Sequence, residues 1–148
     1  MRAEDIKEGH IYYVRFPLNR KGEFKDPHLG LVLQRTVTDI TFITVPLTRS
    51  SDESNKIKLD ITELLPPHLR TKPTYAVYDN VITLNASRFE NLFEKNADGK
   101  TEIYDVKVPD AIMDQVLEAV IKCLTKGLEK SRQKKILDNC KVENTNES

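Results

Sequence analysis

Two strand-length apolar runs joined by a short polar turn fill residues 28–50 and constrain the fold most. They read His-Leu-Gly-Leu-Val-Leu-Gln-Arg and Ile-Thr-Phe-Ile-Thr-Val-Pro-Leu-Thr-Arg-Ser. Thr38 and Asp39 lie between the runs, and such side chains favour turns because they hydrogen-bond their own backbone. The pattern therefore predicts a β-hairpin.

Polar side chains stand at the two outer ends of this hairpin. His28 opens the first strand, and Thr48, Arg49 and Ser50 follow the apolar part of the second. The start of one antiparallel strand lies beside the end of the next. The hairpin therefore predicts that an imidazole, a hydroxyl and a guanidinium meet in space, and this meeting point is the candidate site.

The rest of the chain reads mainly as further strands. Alternating or β-branched runs predict strands at residues 10–16, 56–61, 74–84 and 101–108, with a polar loop at 18–27 and a short helix capped by Asn85 at 85–95. Asp79 and Asn80 interrupt the apolar run at 74–84. They form either a bulge or turn, or a pair of side chains that project into a site.

A helix is predicted after Pro109, since apolar residues recur there three and four apart. They are Ile112, Val116, Leu117, Val120, Ile121 and Leu124. A frayed continuation through the basic segment 126–135 is expected, followed by a disordered polar tail. We therefore expect one domain over residues 1–138, mainly β with a C-terminal α-helix, and a tail at 139–148.

Composition narrows the function. Lys and Arg number 23 and Asp and Glu number 23, so net charge gives no global signal for nucleic acid. No run is long and apolar enough to span a bilayer and no secretory signal is present, so a cytoplasmic protein with no membrane contact is expected. The histidines and the cysteines, Cys123 and Cys140, show no metal-ligand spacing, so we expect no metal and no cofactor.

The order of the pieces resembles the MazF/PemK toxins over residues 8–125. The shared pieces are Gly-x-Ile-Tyr-Tyr-Val-Arg-Phe-Pro, Gly-Leu-Val-Leu, Val-Pro-Leu-Thr, Tyr-Asp-Asn-Val-Ile-Thr-Leu and a closing amphipathic helix. The resemblance implies a small SH3-like antiparallel barrel, forming a homodimer, that cuts single-stranded RNA without metal and is silenced by a cognate antitoxin.

Individual positions carry over as follows. Thr48 matches a threonine that helps to hold the scissile phosphate, and Asp79-Asn80 matches an Asp-Gln pair that some members use at the cleavage site. Two positions depart from the family pattern. His28-Leu29 stands where Arg-Pro is usual, and Val77 stands where members with the Asp pair have an arginine.

Metal-free RNA cleavage needs an acid, a base and donors to the phosphoryl oxygens. An imidazole serves either proton role near neutral pH, so His28 can replace an arginine in position while changing its role. We expect Thr48 to donate to the phosphate and Asp79 to act as the second base or to orient His28. The expected RNA contacts are Arg15, Arg20, Lys25, Arg49, Ser50 and Asn80.

Other interpretations of these residues stay open. His28 can be a satisfied strand-end residue, Thr48 can form only a side-chain turn, and the charged loop can be a solvated surface. At the level of function, the alternatives are a non-catalytic module on the same barrel that binds nucleic acid or protein, and a toxin that inhibits a topoisomerase.

Overall fold

The structure, a computed structural model, describes residues 1–17, 28–50 and 55–146. Within them the chain forms ten strands and two α-helices. The strands are β1 (His10–Val14), β2 (His28–Arg35), β3 (Thr41–Thr48), β4 (Lys56–Leu59), β5 (Thr74–Val77), β6 (Ile82–Asn85), β7 (Phe89–Glu90), β8 (Leu92–Lys95), β9 (Thr101–Tyr104) and β10 (Val106–Lys107). The helices are α1 (Asp110–Leu124) and α2 (Lys130–Asn146). Short 3-10 turns lie at Ala3–Asp5, Thr62–Leu64, Pro67–Leu69 and Ala86–Arg88.

The strands build one antiparallel sheet and a separate hairpin. The sheet order is β10-β1-β2-β3-β5-β4, with β7 also on β1 and β6 also on β3, and β8 pairs with β9. The predicted mainly β class with a C-terminal helix is therefore confirmed. Over the described residues the sheet does not close into the expected barrel, because β10 and β4 end it as edge strands.

The central hairpin is confirmed as β2 and β3. Its turn contains Asp39, the one described residue other than glycine with a positive φ, at 59°, which suits a short polar side chain that tolerates the left-handed region. Gly30 is required by close packing. A Cβ there would lie 2.6 Å from Cγ2 of Val14 and 3.0 Å from Cγ2 of Thr44, so β1, β2 and β3 approach each other at this glycine.

Both faces of the three central strands are buried. One face contributes Ile11, Leu29, Leu31, Val45 and Leu47 to a core that also contains Val116 and Val120 of α1. The other face packs Tyr12, Val14, Val32 and Phe42 against Ile6, Leu84 and Phe89. Because side chains alternate along each strand, the same three strands contribute to two separate cores.

The segment at 85–95 differs from the prediction. Asn85 does act as a cap, since its Oδ1 accepts from Ser87 N at 2.9 Å, but the turn it caps is only Ala86–Arg88. The residues beyond it form β7 and β8 instead of a helix. Pairing of β7 with the distant β1 outweighs the local helical signal, which is a weak determinant when tertiary pairing is available.

The C-terminal part contains two helices. α1 begins directly after Pro109, as predicted, and buries Val116 and Val120. The basic segment leads into the separate α2, which continues to Asn146 through residues where the polar composition predicts a disordered tail. Leu137 of α2 is buried, and Gln133 Nε2 donates to Lys122 O at 3.2 Å, so α2 is attached to α1. No helix in the described part of the chain is long and apolar enough to cross a membrane.

Candidate functional site

His28 and Thr48 lie on one face at one end of the hairpin. Gly30 is directly opposite Pro46, and directly opposed residues share a face. His28 precedes Gly30 by two residues and Thr48 follows Pro46 by two, so the strand period places both on that same face. Both side chains are half-buried. The paired ladder itself ends at Gly30 and Pro46.

The Thr48 hydroxyl has a defined orientation. Its oxygen accepts a hydrogen bond from Ser50 N at 3.3 Å, which is the side-chain turn that the sequence allows. A hydroxyl that accepts here keeps its own hydrogen available for another acceptor. Within the described residues no acceptor takes that hydrogen, so Thr48 combines the local turn with an available donor.

Arg49 is anchored by its guanidinium. Nη2 donates to Thr71 Oγ1 at 2.7 Å, and the buried Nε has no hydrogen-bond partner among the described residues. Unsatisfied buried donors are uncommon in proteins and call for an explanation. Arg49 also makes no ion pair within the described part of the chain, so its charge is available to an anion.

Asp79 and Asn80 form a turn between β5 and β6. Asn80 N donates to Val77 O at 3.2 Å, and both side chains are exposed. Leu47 pairs with Ala76 while Thr44 pairs with Ile82, so three extra residues are inserted beside β3 at this point. The predicted interruption is thus a bulging turn that leaves both polar side chains at the surface.

The Asp79 carboxylate is not brought to Thr48 or His28. It accepts from Asn55 Nδ2 at 2.8 Å, and Thr48 pairs instead with Tyr75, four residues before Asp79. Val77, at the position where some family members have an arginine, is buried against the sheet. The Asp79 side of the site is therefore separate from the His28 and Thr48 side.

Arg15 joins the His28 end of the site from the neighbouring strand. It follows Val14, which pairs with His28, and its side chain is exposed. Arg15 N donates to Arg88 O at 2.9 Å, and Arg88 Nη1 donates to Arg15 O at 3.0 Å. Arg15 and Arg88 are thus neighbours here, and neither side chain makes an ion pair among the described residues.

Two predicted RNA contacts, Arg20 and Lys25, lie outside the described residues. Ser50 is exposed, and its backbone is used in the Thr48 turn. Across the described part of the chain, no three His, Cys, Asp or Glu side chains are grouped as metal ligands.

Comparison with known families bears on this arrangement. A family model described as PemK-like, MazF-like toxin of type II toxin–antitoxin system matches residues 7–124. The chain belongs to this toxin family. The matched region runs from the start of β1 to the end of α1 and includes all the candidate residues, whereas α2 lies beyond it. No curated protein matches the sequence significantly.

Solved structures show the same fold at low sequence identity. MazF (Form-I) from Deinococcus radiodurans aligns with a TM-score of 0.52 and 15% identity, covering 80% of this chain and 96% of that one. An endoribonuclease in complex with its cognate antitoxin from Mycobacterial species aligns with a TM-score of 0.53 and 17% identity, covering 84% and 97%. These two proteins thus share the fold of this chain across nearly their whole length.

Sequence reasoning missed two residues at the site. Thr71, which anchors Arg49, lies in a proline-rich segment with no periodic signal. Arg88 lies in the segment predicted as a helix, and its position beside Arg15 depends on the pairing of β7 with β1. The local signal for Arg88 is weak: it is an arginine that directly follows the Asn-Ala-Ser sequence of the predicted cap.

Proposed function

We propose that this toxin is a metal-independent endoribonuclease that cleaves single-stranded RNA. The observation that carries the proposal is the placement of His28 and Thr48 on one sheet face, at the end of a hairpin inside the family-matched region. Arg49, next to Thr48 in the chain, and Arg15, at the same end of the sheet but on its opposite face, make no ion pair among the described residues and supply positive charge for RNA.

The reaction is an internal transfer at phosphorus. The 2′-hydroxyl attacks the adjacent phosphorus, the bond from phosphorus to the 5′-oxygen breaks, and the products are a 2′,3′-cyclic phosphate and a 5′-hydroxyl. His28 takes the proton of the 2′-hydroxyl, or donates one to the leaving 5′-oxygen, because an imidazole titrates near neutral pH. Thr48 donates its free hydroxyl hydrogen to a phosphoryl oxygen.

Arg49 stabilises the charge that grows on the phosphoryl oxygens. Its anchor on Thr71 fixes the guanidinium before RNA arrives, so little reorganisation accompanies the reaction. Asp79 and Asn80, exposed on the turn between β5 and β6, are assigned to RNA further along the strand, and Asp79 is the weakest of the three catalytic candidates because it pairs with Asn55. Arg15, Arg20, Lys25 and Ser50 are assigned to the RNA backbone.

The proposal extends to partners. A structural relative is an endoribonuclease in complex with its cognate antitoxin, and the family is one of toxin–antitoxin systems. We infer that a cognate antitoxin also silences this chain, that the toxin is a homodimer, and that it meets RNA in the cytoplasm.

The test is cleavage of labelled single-stranded RNA in the presence of EDTA. We expect cleavage with 5′-hydroxyl ends that survives chelation and is lost in His28→Ala and in Thr48→Val, while Thr48→Ser, which keeps the hydroxyl, retains most of it. Intact RNA with a gel shift would instead indicate the non-catalytic binding module. Intact RNA without a shift, together with inhibition of a topoisomerase, would indicate the third class of function.

A further inference from the structure

A second group of chemically active side chains lies where β7 pairs with the end of β1. Tyr13 is directly opposite Glu90, and Val14 is opposite Phe89. Arg15 and Arg88 continue this register and bind each other's backbone. Directly opposed residues share a face, as do residues two apart along a strand. Tyr13, Glu90, Arg15 and Arg88 therefore form a square on one face, opposite to the face that carries His28.

These four residues line a cavity of about 290 Å³ together with Ser87 and Phe89. Pockets for small ligands are typically on the order of 300 Å³ or larger, so the space suits one nucleotide better than a larger ligand. Arg15, Ser87, Arg88 and Glu90 are exposed, whereas Phe89 is buried and belongs to the core on the other face. The cavity is therefore lined mainly by charged and polar residues, with the Tyr13 ring beside them.

The charges in this cavity are not paired with each other. No ion pair to the guanidinium groups of Arg15 and Arg88 or to the Glu90 carboxylate is found among the described residues. Glu90 nevertheless lies close to Tyr13. Burial of the phenol raises the pKa of Tyr13, and the nearby carboxylates of Glu90 and Glu94 raise it further.

The Tyr13 ring, which lines the cavity, is fixed by contacts on its other side. Tyr13 Oη lies 3.0 Å from His68 Nε2, and His68 Nδ1 lies 3.5 Å from Glu94 Oε1. The Tyr13 ring also meets the Phe93 ring edge-on, with centroids 5.6 Å apart. A fixed aromatic ring beside cations is the combination that single-stranded RNA recognition uses to stack a base and hold its phosphate.

We propose that this cavity binds one guanine nucleotide of the RNA, with Arg15 and Arg88 on its phosphate and Glu90 on its base. A carboxylate only accepts hydrogen bonds, and guanine is the base that presents two adjacent donors, N1–H and N2–H, on its Watson–Crick edge. The RNA reaches this face by crossing the end of β1 next to His28. That this nucleotide is part of an RNA substrate rests on the proposed function.

The test is binding of GMP, AMP, CMP, UMP and guanosine to the full chain, followed by NMR with assigned resonances of β1 and β7. A bidentate contact to a base edge discriminates by about tenfold or more, so we expect GMP to bind at least about tenfold more tightly than the other monophosphates. Arg15→Ala is expected to weaken all four monophosphates and to leave guanosine unchanged.

A matched pair of variants isolates the base contact. Glu90→Gln is expected to abolish the preference for GMP, whereas Glu94→Gln, which alters the other carboxylate near Tyr13 but does not line the cavity, is expected to keep it. Thermal unfolding of both variants checks that they are folded. Equal effects of the two substitutions, or no shifts on β1 and β7 with any nucleotide, would overturn the proposal.

The outcome is separable from that of the proposed function. GMP binding at β1 and β7 without cleavage of any RNA would support the nucleotide site and contradict the nuclease function. Cleavage of RNA without guanine-selective binding there would support the nuclease function and contradict a role of this cavity in substrate recognition.

Discussion

The two ends of β1 carry charged side chains in opposite arrangements. At its start, His10 Nδ1 lies 2.7 Å from Asp105 Oδ1, and Lys7 Nζ lies 3.1 Å from Asp105 Oδ2. At its far end, Arg15 faces Arg88 and no carboxylate pairs with either one among the described residues. One strand thus begins in a closed set of polar groups that are paired with each other and ends in an open set of cations.

This difference distinguishes charged groups that are paired within the fold from charged groups that are available to a ligand. The hydrogen bonds and charges of Lys7 and His10 outweigh the effect of burial, which by itself would raise the pKa of Asp105, and so they lower that pKa below its usual value near 3.8. Arg49 shows the opposite state, with a buried Nε that has no partner in the described part of the chain. Charged groups in functional sites are often kept in this costly condition.

The largest expected effect is the loss of RNA cleavage when the imidazole of His28 is removed, at the open end of β1. His28→Gln keeps a polar side chain but cannot exchange a proton near neutral pH. General acid–base catalysis contributes about 10²- to 10⁴-fold, so we expect kcat to fall by that factor. Single-turnover cleavage of labelled RNA measures it. An unchanged rate would mean that the open end does not carry the chemistry.

Arg49→Lys is expected to have the next largest effect. Lysine keeps the charge but loses the planar donor set that reaches Thr71 and a phosphate together. Hydrogen bonds to charged groups contribute about 1.5–3 kcal/mol, which corresponds to about a 10- to 150-fold lower kcat/KM. Thr71→Val, which removes only the anchor, should give a smaller loss. A lysine variant as active as wild type would contradict the role of the anchored guanidinium.

Gly30→Ala is expected to affect stability, because Gly30 lies opposite Tyr12, between the two ends of β1. Its new methyl group would lie 2.6 Å from Cγ2 of Val14, a buried core atom. Overpacking of this kind costs about 1–3 kcal/mol, so chemical denaturation should show a free energy of unfolding lower by that amount. Gly99→Ala, where a Cβ would meet nothing within 4 Å although φ is 76°, gives a comparison dominated by backbone strain. An unchanged stability of Gly30→Ala would show that the three strands are less tightly packed here.

The smallest effect is expected at the closed end. Asp105 is more than half exposed, so its pairs contribute less than about 1 kcal/mol. Because its pKa is lowered on folding, this contribution is complete above the unfolded pKa near 3.8 and is lost as the pH falls through the folded pKa. Asp105→Asn should therefore be less stable than wild type at pH 7, with a difference that shrinks towards pH 3.

The control for this prediction is Asp98→Asn. Asp98 makes no ion pair among the described residues, so its substitution should change stability little at either pH. RNA cleavage should be unaffected by both variants. A constant difference between Asp105→Asn and wild type across this pH range would argue against a stabilising carboxylate.

Local patterns predict most of the fold. The hairpin of β2 and β3, the start of α1 after Pro109 and the cap at Asn85 all follow from signals within a few residues. The short strand β7 does not, because it forms only by pairing with β1, more than 70 residues away in the sequence. The open sheet is likewise a property of long-range pairing that no local pattern specifies.

The candidate site is predictable only where the hairpin defines it. The shared face of His28 and Thr48 follows from the strand period and the antiparallel register. The anchoring of Arg49 on Thr71, the pairing of Asp79 with Asn55 and the neighbourhood of Arg15 and Arg88 each join segments that are distant in sequence. Their partners depend on side-chain packing, which the order of residue types does not reveal.

The most direct test of the account is the salt dependence of RNA binding at the two ends of β1. A 2′-O-methyl RNA, which lacks the attacking hydroxyl, permits binding to be measured without cleavage. For single strands, each phosphate contact contributes about 0.7 to the slope of log Kd against log salt concentration. We predict that Arg15→Ala lowers this slope by about 0.7 and that Lys7→Ala leaves it unchanged. Equal slopes for Arg15→Ala and wild type, or a loss only in Lys7→Ala, would contradict the assignment of the open end to RNA.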